Sequence, residues 1–237
     1  MKVLVIGGVA AGTKAAAKIK RQNRSAEVKI LTQSADISYA GCGLPYYVGG
    51  MIESREELIV NTPEKYTGLT GVEVVTRCEV TSVNFQAKTV TALCQGQTWL
   101  ESYDKLVIAT GATPFVPQVE GIRLPGVFTM RTPDDAIALR AYVQDRHCRS
   151  AVVVGAGFIG VEMAENLKKR GLDVTIVEFL DQAVGSLDRE MAAVLHGHLR
   201  EKGISLRLRT AVEGLERANH GLRVRLTDGG ALEAGMV

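Results

Sequence analysis

The chain has 237 residues, of which 46% are hydrophobic, and its 28 basic and 26 acidic side chains give a formal net charge of +2. These values are typical of a globular protein with one large or two small domains, and they exclude disordered and fibrous classes. The balanced charge argues against nucleic acid or a membrane surface as a partner.

The distribution of apolar residues and cysteines bears on where the protein works. No segment reaches the roughly 18 consecutive apolar residues of a membrane span, and the apolar run at residues 3–6 is too short for a signal peptide. The four cysteines are scattered without a CxxC pair, which fits neither a disulfide scaffold nor a zinc site. We therefore expect a cytoplasmic protein with reduced thiols and no metal, in which Cys78, Cys94 and Cys148 are packing residues.

The first half of the chain predicts a βαβ unit followed by a small antiparallel meander. Its predicted elements are a buried strand at 2–6, a glycine loop at 7–12, a helix at 13–23, a strand at 28–31, a short helix opening at 63, a meander over 72–100 and a buried strand at 106–109. The proline-containing stretch 114–125 then predicts a connection between domains.

The second half repeats this plan. Its predicted elements are a strand at 151–154, a glycine loop at 155–160, a helix to 170, a strand at 174–177, a helix at 188–202, and strands within 204–226 joined by a turn at 219–221. No closing strand is expected at residues 234–237, so the chain is expected to stop inside a domain. The sequence thus predicts an α/β fold with two Rossmann-like domains, at residues 1–118 and 119–237.

The second glycine loop matches the dinucleotide-binding fingerprint. Gly155, Gly157 and Gly160 have the GxGxxG spacing between a strand and a helix, where a diphosphate rests on the helix N-terminus. Glu178, at the end of the next strand, is placed to bind both ribose hydroxyls and to repel a 2′-phosphate, which favours NADH over NADPH. The alternative is a close helix–strand crossing that merely needs glycines.

The first glycine loop departs from the fingerprint at two places. Val9 occupies the position of the middle glycine, and Thr32 and Gln33 stand where an acidic residue would bind the ribose. Taken alone, this loop leaves open both a nucleotide site and a plain Rossmann-like turn.

Cys42 is the strongest candidate for chemistry. It lies between Gly41 and Gly43, which leave room for a flat group near the sulfur, and Pro45 suits the first turn of a helix. A helix N-terminus favours the reactive thiolate. The pattern predicts a flavin-linked thiol enzyme, and the alternative is a buried structural cysteine.

Four segments resemble the N-terminal part of the pyridine nucleotide-disulfide oxidoreductases, most of all the single-cysteine branch of CoA-disulfide reductases, CoA-dependent persulfide or polysulfide reductases and NADH oxidases. They are residues 7–12, 38–47, 109–111 and 155–165. The two-cysteine branch has its partner cysteine where this chain has Tyr47, so an internal dithiol mechanism is excluded. Family members continue into a second FAD segment and a dimerisation domain, which implies a homodimeric parent protein and a missing C-terminal part.

The resemblance implies FAD on the first domain and NADH on the second. The residues implied to bind FAD are Gly7, Gly8, Val9, Ala10, Ala11, Gly12, Thr32, Gln33, Val80, Ala109, Thr110 and Gly111. Those implied to bind the nicotinamide nucleotide are Gly155, Gly157, Phe158, Ile159, Gly160, Glu162 and Glu178.

A basic helix face is the candidate substrate site. Lys14, Lys18 and Arg21 share one face of the first helix, and the resemblance places CoA phosphates there, with Ser38 near the thiol. The alternative is an ordinary solvated helix face.

The resemblance implies that electrons pass from NADH through the flavin to a mixed disulfide at Cys42, formed with a small disulfide or persulfide that is CoA-linked. Two alternatives stay open. One is an NADH oxidase or peroxidase that uses a sulfenic acid at Cys42. The other is a non-catalytic nucleotide-binding module or redox sensor.

Overall fold

The computed structural model describes all 237 residues. By its internal contacts the chain divides into a first unit, residues 1–40 and 56–113, and a second unit, residues 41–55 and 114–237. The division at residue 118 stays a prediction, and in the structure the segment that carries Cys42 belongs to the second unit.

The secondary structure alternates strands and helices in both halves. The first half contains β1 (Lys2–Ile6), α1 (Ala10–Gln22), β2 (Glu27–Leu31), a 3₁₀ turn (Gly41–Gly43), α2 (Leu44–Gly49), α3 (Arg55–Leu58), α4 (Pro63–Thr70), β3 (Glu73–Val75), β4 (Cys78–Asn84), β5 (Thr89–Cys94), β6 (Gln97–Ser102) and β7 (Lys105–Ile108). The second half contains α5 (Pro133–Asp145), β8 (Ser150–Val154), α6 (Phe158–Lys169), β9 (Asp173–Val177), α7 (Arg189–Glu201), β10 (Ser205–Arg207), β11 (Val212–Ala218), β12 (Gly221–Leu226) and β13 (Ala231–Ala234).

The first unit is built on a parallel sheet in the order β3-β2-β1-β7. Side chains alternate between its two faces, so Val3 and Val5 pack with Ala16 of α1 on one side. Leu4 and Ile6 pack on the other side against the antiparallel sheet β4-β5-β6. With both faces covered, β1 is apolar from Val3 to Ile6 and the sequence shows it as a continuous hydrophobic run, whereas Lys29 interrupts β2.

Two details of the first unit correct the sequence analysis. The prediction of one meander over 72–100 is wrong at its start, because β3 pairs in parallel with β2 and only β4, β5 and β6 form the meander. Helix α1 begins at Ala10 rather than at Thr13, so the end of the glycine loop is already its first turn. Both differences arise because pairing partners and exact helix starts depend on tertiary contacts.

Cys78 and Cys94 are buried in the core of the first unit, as expected of packing residues, and the reduced state of their thiols stays a prediction. They face each other across β4 and β5, with their Cα atoms 3.9 Å apart. The hairpin register that brings them together is not readable from a separation of 16 residues. Cys42 is free and exposed, whereas Cys148 is free and half-buried. Burial raises the pKa of the Cys148 thiol, and this effect outweighs the positive charge of Arg146, which lowers it.

The second unit contains a parallel sheet in the order β10-β9-β8 and an antiparallel sheet β11-β12-β13. Val152 and Val177 of the first sheet pack with Leu215 and Val224 of the second in one core. The expectation of no closing strand is wrong, since β13 pairs with β12 and Met236 accepts a backbone hydrogen bond from Val152 at 3.0 Å. The predicted α/β class with two βαβ units and a meander is confirmed.

Helix α5 was not predicted, although its sequence signal is clear. The hydroxyl of Thr132 accepts a hydrogen bond from the Asp135 N–H, the Asp135 carboxylate accepts one from the Thr132 N–H, and Pro133 occupies the first turn. This capping box fixes where the helix begins. None of the helices has the length and apolar character needed to cross a bilayer.

Helix α2 packs so closely on α6 that Gly49 leaves no room for a side chain. A Cβ at Gly49 would lie 2.2 Å from Oδ1 of Asn166, a fully buried residue of α6. We expect Gly49→Ala to lower the free energy of unfolding by about 1–3 kcal/mol, measured by chemical denaturation.

Gly68→Ala is the matched control, because Gly68 is exposed on α4 and a Cβ there meets nothing within 4 Å. It should leave stability unchanged or raise it slightly. Equal stability of the two variants would contradict the close packing of α2.

Candidate functional site

The two glycine loops begin with the same backbone geometry. Gly7 and Gly155 have φ values of +107° and +101°, which favour glycine. Their N–H groups donate to the carbonyl oxygens of Leu31 and Val177, the last residues of β2 and β9, at 2.8 Å in both cases. Each loop is therefore anchored to the end of the neighbouring strand.

The last glycine of each loop allows the helix to approach the loop closely. A Cβ at Gly12 would lie 1.9 Å from the carbonyl oxygen of Gly7, and one at Gly160 would lie 2.0 Å from that of Gly155. The first loop thus has the close helix–strand crossing of a dinucleotide site, although Val9 replaces its middle glycine.

The helices that follow the loops have uncapped N-termini. Neither Val9 at the N-cap of α1 nor Gly157 at the N-cap of α6 provides a side-chain cap, and neither first turn contains an acidic residue. The backbone N–H groups there lack helical partners and attract an anion such as a diphosphate. A Cβ at Gly157 would meet nothing within 4 Å, so space is open above the second loop.

Glu178 is anchored where the fingerprint requires an acidic residue. The side chain is 7% exposed, with Oε2 accepting from the Ala156 N–H at 2.6 Å and Oε1 accepting from the Leu180 N–H at 2.9 Å. Each carboxylate oxygen keeps acceptor capacity for a further donor such as a ribose hydroxyl. Thr32 holds the corresponding position after β2, where it is buried against Gly8.

The remaining predicted FAD residues divide into two groups. Residues 109–111 follow β7 and pass beside the first loop, where a Cβ on Gly7 would come 2.1 Å from the Ala109 carbonyl oxygen. Ala10, Ala11 and Gln33 are exposed near the loop or after β2. Val80, in contrast, packs against the core cluster of the meander.

A cavity of about 1000 Å³ lies in the second unit beside the second loop. Its volume is that of a cofactor site, and its wall is mostly apolar with few polar groups. Glu162 lies further along α6 and does not line it. The predicted residues that line it are Gly155, Gly157, Phe158, Ile159, Gly160 and Glu178.

Cys42 lies in the 3₁₀ turn that leads into α2. Its side chain is exposed, whereas the next residues, Gly43, Leu44 and Pro45, are buried. Helix α2 packs against both α5 and α6, so the thiol is presented from a segment fixed by the second unit. This arrangement favours an accessible thiol over the buried structural cysteine that the sequence left open.

The candidate CoA residues lie in the first unit. Lys14, Lys18 and Arg21 are exposed on α1. Ser38 is next to the first glycine loop, because its N–H donates to the Gly8 carbonyl oxygen at 3.0 Å. Its hydroxyl accepts a hydrogen bond from Asn61 at 3.4 Å.

Comparison with known proteins decides the family. The pyridine nucleotide-disulphide oxidoreductase family matches the chain over residues 1–237. The chain belongs to this family. Pyridine nucleotide-disulphide oxidoreductases use FAD and NAD(P)H, so the predicted enzyme class and cofactor types are confirmed at the level of the family.

Comparison with individual family members shows what share of their length this chain covers. It is 38% identical over 217 residues to an NADH oxidase of Methanocaldococcus jannaschii, covering 90% of this chain and 48% of that protein. It is 35% identical over 240 residues to a CoA-dependent NAD(P)H sulfur oxidoreductase of Pyrococcus furiosus, covering 100% of this chain and 52% of that protein. The structure of reduced CoADR-RHD from Bacillus anthracis matches with a TM-score of 0.95 and 37% identity. The match covers 99% of this chain and 42% of that one. The chain therefore spans about half the length of these curated relatives.

Proposed function

We propose that this chain is the cofactor-binding and thiol-bearing part of an FAD-dependent NADH oxidoreductase that reduces CoA disulfides or CoA-linked persulfides through Cys42. The observation that carries this proposal is the exposed, free Cys42 thiol on a segment packed against α6, the helix that starts at the nucleotide loop. A homodimeric parent protein and a cytoplasmic location stay predictions.

The two loops fit the two cofactors. The first, with its close glycine crossing and the uncapped N-terminus of α1, would hold the FAD diphosphate. The second, with α6, Glu178 and the adjoining cavity, would hold NADH. When bound, FAD supplies a two-electron relay between nicotinamide and sulfur.

Cys42 carries the sulfur chemistry in this proposal. Its thiolate attacks one sulfur of CoA disulfide, forms a Cys42–CoA mixed disulfide and releases one CoA thiolate. Two electrons that originate from NADH then break the mixed disulfide, releasing the second CoA thiolate and restoring the Cys42 thiolate. Overall, NADH and CoA disulfide yield NAD⁺, one proton and two CoA thiolates.

The basic face of α1 supports a substrate that carries phosphates. Lys14, Lys18 and Arg21 are exposed and form no ion pair in the structure, so their charges are available to an external anion. Their helical spacing directs them to one side of α1. CoA, with several phosphate charges, fits this surface better than a small uncharged disulfide does.

A second candidate function is NADH oxidation by oxygen or peroxide. The relative from Methanocaldococcus jannaschii is named an NADH oxidase, and an exposed thiol such as Cys42 is accessible to peroxide. In that reaction peroxide oxidises the Cys42 thiolate to a sulfenic acid with loss of hydroxide, and NADH supplies the two electrons that reduce it again.

The two functions are separated by comparing NADH consumption with CoA disulfide, oxygen and hydrogen peroxide under matched conditions. We expect kcat/KM for CoA disulfide to exceed those for oxygen and peroxide by at least about tenfold, since the proposal gives Cys42 a disulfide substrate. Turnover with oxygen or peroxide alone would replace the proposal by the oxidase function.

Glu178 provides a test of nucleotide preference. Glu178→Gln keeps one acceptor oxygen but removes the charge that repels a 2′-phosphate, so the ratio of kcat/KM for NADPH to that for NADH should rise by about tenfold. Glu165→Gln is the control, because Glu165 lies on the same helix as the loop glycine Gly160 but pairs with Lys169 on the surface. A ratio unchanged by Glu178→Gln would contradict the assigned role.

A further inference from the structure

Two arginines hold the C-terminal end of the helix that follows Cys42. Nη1 of Arg140, on α5, donates to the carbonyl oxygens of Tyr47, Ile52 and Glu53 at 3.2, 3.1 and 3.1 Å. Nε of Arg170, which caps α6, donates to the Val48 carbonyl oxygen at 2.9 Å. Side chains from two other helices thus bind two carbonyl groups in the last turn of α2 and two in the segment that follows it.

The two guanidinium groups are directed at α2 and the residues that follow it. Besides its three hydrogen bonds, the Arg140 guanidinium lies over the Tyr47 ring, 4.5 Å from the ring centroid. Nη2 of Arg170 is buried without a hydrogen-bond partner. Burial, and then the charge of Arg140, lower the pKa of Arg170.

Placing two like charges together in a partly buried site is unfavourable by itself. The negative end of the α2 dipole and the four carbonyl oxygens offset that cost. The arginines consequently stabilise one position of α2 relative to α5 and α6. Because the turn that contains Cys42 leads directly into α2, the position of this turn is stabilised as well.

We propose that Arg140 and Arg170 are positioning residues for Cys42. They fix the segment that carries the thiol, residues 41–55, to helices α5 and α6 of the second unit. The inference rests on the proposed function, because it concerns the thiol used there. Helix α6 has the nucleotide loop at its N-terminal end, and Asn166 and Arg170 contact α2 near its C-terminal end. A single rigid helix thereby links the nucleotide loop and the segment of the reactive thiol.

Arg140→Gln tests this inference through the motion of the segment itself. Amide hydrogen exchange of residues 41–52 should become about tenfold faster in this variant. The glutamine side chain is shorter than that of arginine and carries no positive charge, so it cannot make the same hydrogen bonds to the three carbonyl oxygens. Arg140→Lys should restore most of the protection, since one nitrogen donates all three bonds in the structure and an ammonium has three N–H groups. Arg170→Gln should accelerate exchange in the same residues.

Arg146→Gln is the matched control. It removes the same charge from the end of α5, and Arg146 is exposed and donates no side-chain hydrogen bond to α2. Exchange of residues 41–52 should equal that of the unchanged protein. Equal exchange in Arg140→Gln and Arg146→Gln would overturn the inference.

The consequence for chemistry is read from separate half-reactions of the FAD-loaded protein. In Arg140→Gln, flavin reduction by NADH should stay within about twofold, whereas Cys42-dependent reoxidation by CoA disulfide should slow about tenfold. Equal slowing of both steps would indicate general destabilisation and overturn a positioning role. If the unchanged protein showed no flavin reduction, the proposed function would fail, and hydrogen exchange would still decide whether the arginines fix the segment.

Discussion

Cys42→Ser is expected to abolish reduction of CoA disulfide while leaving flavin reduction by NADH intact. A serine hydroxyl without an adjacent general base is a poor nucleophile at neutral pH and cannot form the mixed disulfide. We expect kcat for CoA disulfide to fall at least about 10³-fold, while the rate of flavin reduction in an anaerobic stopped-flow experiment stays within about twofold.

Cys148→Ser is the control for this result. Cys148 is also a free cysteine, but it is half-buried beside the Gly235 carbonyl oxygen, and no proposed step uses it. Its variant should turn over CoA disulfide at the rate of the unchanged protein. Substantial turnover by Cys42→Ser would remove Cys42 from the mechanism.

Gly157→Ala is expected to weaken NADH binding selectively. A Cβ there meets nothing in the protein, and the N-cap backbone at φ −71° accommodates alanine, so the melting temperature should not change. The added methyl group occupies the open side of the loop where the diphosphate must approach. We expect the Kd for NADH to rise by about 10- to 100-fold, measured by titration calorimetry.

Alanine substitutions at two other glycines serve as comparisons for Gly157→Ala. Gly160→Ala should lower stability as well as NADH binding, because its Cβ would lie 2.0 Å from the Gly155 carbonyl oxygen. Gly197→Ala, at an open position of α7, should change neither NADH binding nor the fold. Unaltered NADH affinity in Gly157→Ala would mean that the second loop does not hold the nucleotide.

The parts of the fold that were predicted correctly are those determined by local sequence. Each βαβ unit combines a buried apolar strand, a glycine loop and a helix in immediate succession, so β1–α1–β2 and β8–α6–β9 were recognisable without tertiary information. The loop glycines are likewise local requirements of a positive φ and of a close helix approach, which the geometry at Gly7 and Gly160 shows directly.

The parts that were missed depend on contacts between distant residues. The pairing of β3 with β2 and of Cys78 with Cys94 follows from strand register, which alternation alone does not specify. Arg140 and Arg170 lie more than 80 residues from the carbonyls they bind, so no spacing rule singles them out. Helix α5 is different, since its capping box was readable from the sequence.

The central claim, that electrons from NADH reach a disulfide through Cys42, is tested most directly by an anaerobic NADH titration of the FAD-loaded protein followed by addition of CoA disulfide. The account predicts that NADH bleaches the flavin absorbance and that CoA disulfide restores it in the unchanged protein but not in Cys42→Ser. Flavin that NADH reduces and that only oxygen or peroxide reoxidises would contradict the account.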